Sequence, residues 1–179
     1  ADTPHMFKPN MNFSRGFLTF EHVRGQTSDS WKIGPWGPVA DLFKDYFGDY
    51  VPRASEDPDV TLYAEGKVLQ YLHNISDRRV EEDWFAPRVF TSGCRWIEEN
   101  AGNAPFFLWL DCFETHELFD PPISYIKQYN DTWTGPKYRQ PQHILSSRLH
   151  SDIRGDSVQG LSAEFVDYYT ACYMAEVTF

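Results

Sequence analysis

Only three of the 179 residues are cysteine, Cys94, Cys112 and Cys172, and no two form a CxxC pair. That scarcity argues against a disulfide scaffold and a cysteine-built zinc site, and leaves buried reduced thiols as the expected state. Basic residues are also few. Sixteen Lys plus Arg stand against 26 Asp plus Glu, a formal charge of -10 whose field repels polyanions, so nucleic acid is not an expected partner. Long apolar runs are missing as well: the strongest, Phe106 to Leu110, is far short of the roughly 20 residues that span a bilayer. No charged-then-apolar leader opens the chain, and no membrane partner is expected. There is no internal repeat and no low-complexity tract. What the chain has is 41% hydrophobic and 17% aromatic residues, ample for one core, and a length that predicts a single domain over 1–179.

The chain starts at Ala1 without Met and ends at Phe179 inside a helical pattern with no Gly, Asn or Pro stop, which predicts a piece of something longer. The compartment is left open, because any leader would lie upstream of Ala1. Asn12, Asn74 and Asn130 head glycosylation acceptor patterns too short to decide it.

Leu42, Phe43, Tyr46 and Phe47 fall at helical spacing, with Asp41 as the expected cap and Gly48 as the stop, predicting a helix over 41–47. The acidic stretch 54–59, broken by Pro58, reads as a surface loop leading into a helix over about 60–73. A helix over about 84–100 is expected next, with Phe90, Cys94 and Ile97 as its apolar stripe beside Val89 and Trp96. The continuous apolar run 105–112 has the pattern of a strand covered on both faces, and helix, short turn, buried strand predicts an α/β fold. Residues 125–160 read as a long loop, and Ser162 as the cap of a last helix with Phe165, Tyr169, Cys172, Tyr173 and Val177 on its apolar face.

Polar chemistry begins where the run ends. Glu114, His116 and Glu117 put acid-base or metal-ligating groups within four residues, and in open α/β sheets ligands sit at the carboxyl ends of strands. At the other end of the chain, Asp2, Thr3 and His5 offer carboxylate, hydroxyl and imidazole in one turn able to hold an anionic ester. His143, His150 and Asp152 lie in the long loop at no recognised metal spacing. Cys94 beside Arg95 reads as core rather than as an activated thiol, the 78–83 charge run as solvated, and Tyr168, Tyr169 and Tyr173 as packing residues.

Pro105-Phe-Phe-Leu-Trp-Leu-Asp-Cys-Phe-Glu-Thr-His-Glu-Leu-Phe-Asp-Pro-Pro resembles the sulfatase segment "PFFLWvDfFdPHEPWdPP", and Tyr173-Met-Ala-Glu-Val-Thr-Phe resembles "YxAEVTFVD". Gly16-Phe17, Arg24-Gly25-Gln26 and Trp31 similarly resemble the stretch that follows an "sDTxHxF" turn in that family, a branch of the alkaline phosphatase superfamily. The resemblance implies a three-layer α/β/α sandwich, incomplete in this chain, and metal-assisted hydrolysis of a small-molecule sulfate or phosphate-type monoester. Neither the family's C/S-x-P-x-R nucleophile motif nor its Asp and Asp-His-Gly metal motifs occur here. The resemblance therefore implies a central fragment, inactive alone, that holds no Ca, Mg or Mn tightly and tends to self-associate. Its site residues would be His116 and His5, as contacts to substrate or leaving-group oxygens, with Thr3 a weaker contact where the family has Lys. The absence of that Lys makes a phosphonate monoester or phosphodiester the alternative substrate class. The alternative of another kind is a complete, non-catalytic acidic binding module.

Overall fold

The computed structural model describes residues 1–27, 29–35, 39–48, 58–103, 105–116, 118–137 and 163–179, with side chains omitted over 58–65. Among them lie five α-helices: α1 (Ala40–Phe47), α2 (Pro58–Ile75), α3 (Phe85–Asn100), the single turn α4 (Ile123–Ile126) and α5 (Ala163–Thr178). Short 3₁₀ turns occupy Pro4–Phe7, Glu81–Asp83 and Ala101–Asn103. The expected α/β class and its three-layer sandwich are corrected, since no strand occurs among the described residues and the architecture there is all-helical.

The correction turns on 105–112. A strand exists only through ladder bonds to a neighbour, and an apolar run carries no information about whether that neighbour is there. Here the segment runs without a strand partner among the described residues. Nor is it covered on both faces, because Phe107 is 76% and Trp109 55% exposed. Aromatic contacts take the place of a sheet: Trp96 meets Phe106 edge-on at 5.0 Å, and Phe17 stands 6.2 Å from Phe107 and 6.1 Å from Trp109.

Four of these helices fall close to where periodicity predicts them, while α4 is a turn at the start of the expected 125–160 loop, and several helices present a different face. Gly48 closes α1 at φ +64, a conformation glycine adopts without strain, and its N–H donates to the Lys44 carbonyl at 2.7 Å. Val39 rather than Asp41 is the N-cap, and Asp41 sits in the first turn, where its charge favours the helix dipole. Pro58 starts α2 instead of ending a loop; its missing N–H is no loss there. On α3 the buried residues are Phe85, Val89 and Gly93, while Phe90 and Cys94 are exposed, so the predicted stripe and the core placement of Cys94 are both corrected. Phe85 and Val89 join Val68, Leu72 and Ile75 of α2 in the main core. Leu110 lies over Gly93, in space that a side chain would take. On α5 the inward residues are Phe165, Tyr168, Cys172 and Ala175, packed with Ile126 and Trp133; Tyr173 and Val177 are exposed. A helix with apolar residues on most sides leaves the choice of face to its neighbours. Ser162, His143, His150, Asp152, Glu117 and the 54–57 loop lie outside the described residues.

The two cores meet at Asp120, which is buried. Its carboxylate accepts from Tyr46 Oη at 2.7 Å, Tyr71 Oη at 2.6 Å and Arg78 at 3.0 Å, and pairs with Lys137 Nζ. Its carbonyl accepts from Trp84 Nε1 at 2.7 Å. Burial pushes Tyr71 up to about 12, so the phenol stays a donor. Arg78 is therefore not part of a solvated charge run: its guanidinium stacks 4.8 Å from both Trp84 and Phe85 and pairs 42 positions away. Asn74 is likewise buried, donating to the Asp29 carbonyl at 2.8 Å and accepting from Lys32 N–H at 3.1 Å, which removes it as a glycan acceptor in this fold. Among the described residues no helix is long and apolar enough to cross a membrane.

Candidate functional site

The N-terminal turn and the segment after the apolar run come together. Pro4 suits the first position of the 3₁₀ turn, which projects His5 from its exposed side while Asp2 and Thr3 are buried beneath it. Asp2 is fully buried; its Oδ1 accepts the Phe113 N–H at 2.8 Å, a bond across 111 positions. The Phe113 ring then contacts both predicted imidazoles. His116 stacks on it at 4.3 Å with 28° between planes, and His5 meets it edge-on at 5.9 Å. Thr3, 6% exposed, makes no side-chain cap bond, and its carbonyl accepts from Met6 N–H at 3.3 Å. The three predicted site residues thus lie around one ring and the turn below it.

Beneath the imidazoles is a set of polar groups that motif reasoning only partly singles out. Gln26 is buried, and its Nε2 donates both to Asp2 Oδ2 at 3.4 Å and to Glu114 Oε1 at 3.1 Å. Cys112 Sγ donates to Glu114 Oε2 at 3.5 Å. Thiol and carboxylate stand two positions apart and meet locally. One ligand atom each from Asp2, Cys112 and Glu114 falls within 4.8 Å of the others. Burial pushes the Asp2 carboxyl up to about 6; the Glu114 charge adds to this, and the Phe113 N–H opposes it. Burial likewise pushes the Cys112 thiol up to about 12, with the charges of Asp2 and Glu114 acting in the same sense. Gln26 is visible in sequence only inside Arg24-Gly25-Gln26; that its amide bridges two carboxylates depends on a contact 88 positions away.

The loop that carries Gln26 is built by its neighbours. Arg24 grips Asp29 through two bonds of 2.7 and 2.8 Å, and the Gly25 N–H donates to the same carboxylate at 2.9 Å. Gly25 has φ +109, and a Cβ there would stand 3.3 Å from the Phe85 ring. Gly25→Ala should therefore cost about 1–3 kcal/mol, combining left-handed strain with crowding of Phe85. Urea unfolding checks this, and an unchanged midpoint would show that the loop does not need its present path.

Together these features define an architecture that is all-helical among the described residues, with a pair of imidazoles beside a cluster of a buried carboxylate and amide and a half-buried thiol and second carboxylate. Set against family models, curated proteins and solved structures, the chain matches none.

Proposed function

We propose that this chain is part of a sulfatase-like hydrolase acting on a small-molecule sulfate or phosphate-type monoester, with His116 and His5 contacting the ester and leaving-group oxygens. Thr3 is the weaker hydroxyl contact of the same turn. One observation carries the reading: two imidazoles 111 positions apart in sequence pack against the same ring, Phe113. As an ester bond breaks, negative charge grows on the departing oxygen, and an imidazole held beside it donates a hydrogen bond or a proton. The ring restricts each imidazole's orientation before substrate arrives, which is the purpose of a positioned acid. No nucleophile is assigned among these residues, and the 179-residue chain alone is expected to turn over nothing.

Hydrolases of that kind use a divalent Ca, Mg or Mn ion, which takes six or more oxygen ligands or an octahedral set rich in water. Beside the imidazoles stand two carboxylates and a thiol, a donor set that does not fit a hard cation. No step of the proposed reaction runs through one.

In the intact enzyme, His116→Ala is expected to lower kcat/KM for esters with poor leaving groups by roughly 10²–10⁴-fold, and far less for activated aryl esters. Equal losses for both, or none, would sink the role. Profiles against sulfate, phosphate, phosphonate and diester substrates separate the monoester reading from its phosphonate and diester alternatives.

A second reading, a non-catalytic binding module, is favoured by the aromatic surface at Phe17, Phe107 and Trp109, all exposed. The same surface supports the expected self-association of the chain, since exposed apolar patches of this kind are covered in most proteins. A concentration-independent monomer in light scattering would count against it.

A further inference from the structure

We propose that Asp2, Cys112 and Glu114 form a site for one borderline divalent cation of the zinc class. The proposal is independent of ester hydrolysis and uses none of the three residues assigned to it. Two carboxylates and a thiol are a mixed hard and soft donor set, and the sulfur is what turns preference away from Ca²⁺ and Mg²⁺. The geometry is close to complete. Ligand atoms on a tetrahedral zinc stand about 3.5 Å apart, given bonds of about 2.0–2.3 Å. Cys112 Sγ and Glu114 Oε2 are at 3.5 Å, and all three ligand atoms lie within 4.8 Å. Closing the remaining gap takes about an ångström of side-chain movement, estimated from that same tetrahedral spacing.

Gln26 supports the arrangement from outside. Its single amide nitrogen holds an oxygen of each carboxylate, and the Phe113 N–H fixes the other oxygen of Asp2. A carboxylate oxygen has two lone pairs, so each can accept one such bond and still bind a metal. Outer partners of this kind orient ligands and raise affinity. Three protein ligands leave a fourth position for water or a ligand oxygen.

A second feature is a buried carboxylate that feels the charge of Glu114. Glu176 on α5 is 6% exposed, and its Oε2 has no hydrogen-bond partner among the described residues. After burial itself, the strongest influence against its ionisation is the charge of Glu114. A divalent cation at Glu114 offsets the charge that Glu176 feels. Binding replaces the thiol proton: the S–H bond breaks, the sulfur–metal bond forms and one H⁺ leaves to solvent, so affinity rises with pH.

The test is titration of the full 179-residue chain with Zn²⁺ by calorimetry and with Co²⁺ by absorbance. One equivalent of each is expected, with proton release, a sulfur-to-cobalt charge-transfer band and affinity well above that for Ca²⁺ or Mg²⁺. Cys112→Ala should abolish the band and weaken Zn²⁺ by tenfold or more, Asp2→Asn should weaken it similarly, and Cys94→Ala should change neither. Circular dichroism establishes folding of each variant, and Cys112→Ser serves if Asp2→Asn does not fold. A folded chain that takes up no equivalent of Zn²⁺ would overturn the proposal. So would a Cys112→Ala chain that binds as well as the parent, or Ca²⁺ binding as tightly as Zn²⁺.

Discussion

Asp120→Ala should destabilise the folded chain by about 3–5 kcal/mol, the range seen when one partner of a buried ion pair is removed. Four donors converge on this carboxylate: Tyr46, Tyr71, Arg78 and Lys137. The Arg78 side chain is 7% exposed and that of Lys137 17%, so deletion leaves two largely buried cations without their anion. The effect also spreads. Tyr46 and Tyr71 belong to the core under α1 and α2, whereas Phe119, next to Asp120 in the chain, packs on α5, so the carboxylate is anchored between the two apolar clusters. A loss on this scale corresponds to a drop in Tm of the order of 10 °C for a chain of this size. Tyr46→Phe is the informative comparison, because it removes one donor and leaves three, and should cost only about 1 kcal/mol. Urea denaturation of both variants decides the matter. If Asp120→Ala and Tyr46→Phe lost similar amounts, the network would be contributing no more than one ordinary hydrogen bond.

Glu176→Gln should stabilise the chain at pH 8 and leave it nearly unchanged at pH 4.5. Burial holds this carboxyl protonated up to about 8, against an ordinary 4.5; the charge of Glu114 adds to the effect, and Lys137 and Arg78 oppose it. In the unfolded chain the proton leaves from about pH 4.5 upward, and in the folded chain only near 8. Between those values the folded state holds the extra proton, so stability falls as pH rises, by at most about 1.4 kcal/mol per pH unit. Asp2 contributes the same sign over a narrower window, from 3.8 to about 6. Asp29 and Asp77 act oppositely: once burial is offset for Asp29, bonds from Arg24 and Gly25 lower it, and Lys32 lowers Asp77, so both lose stabilisation in acid. Gln cannot ionise, so the variant's stability should decline less with pH. The difference between its effects at pH 8 and pH 4.5 is expected to be about 1–3 kcal/mol, read from thermal unfolding at the two pH values. A parallel pH profile for variant and parent would mean that Glu176 ionises normally in the folded chain.

Both predictions rest on residues whose importance periodicity does not reveal. Asp120 is one acidic residue before Pro121-Pro122, and Glu176 is one carboxylate four positions after Cys172 on the last helix, with no motif around either to mark it. Arg78 looks like one member of a self-neutralising run, yet its partner is 42 positions away. In the candidate site, His5 and His116 were legible from residue type and position, as was Thr3 from its place in the turn. Gln26 and the joining of Cys112 with Asp2 were not. Each depends on a chain crossing that no local window contains.

The sequence by itself determined where the four longer helices form, though not the single turn α4. Their spacing, the stop at Gly48 and the start at Phe85 are local properties, set by side-chain periodicity and backbone freedom within a few residues. It also determined which chemistry is present at the two ends of the site. Tertiary structure alone decided which face each helix buries, because a face is chosen by what lies against it: Leu110 over Gly93, Ile126 and Trp133 against α5. It decided, too, that 105–112 is not a strand among the described residues, because a strand is a relation between two segments and hydrophobicity describes only one of them. And it alone brought Asp2 to Phe113, since a hydrogen bond across 111 positions is made by folding and is encoded in neither segment separately.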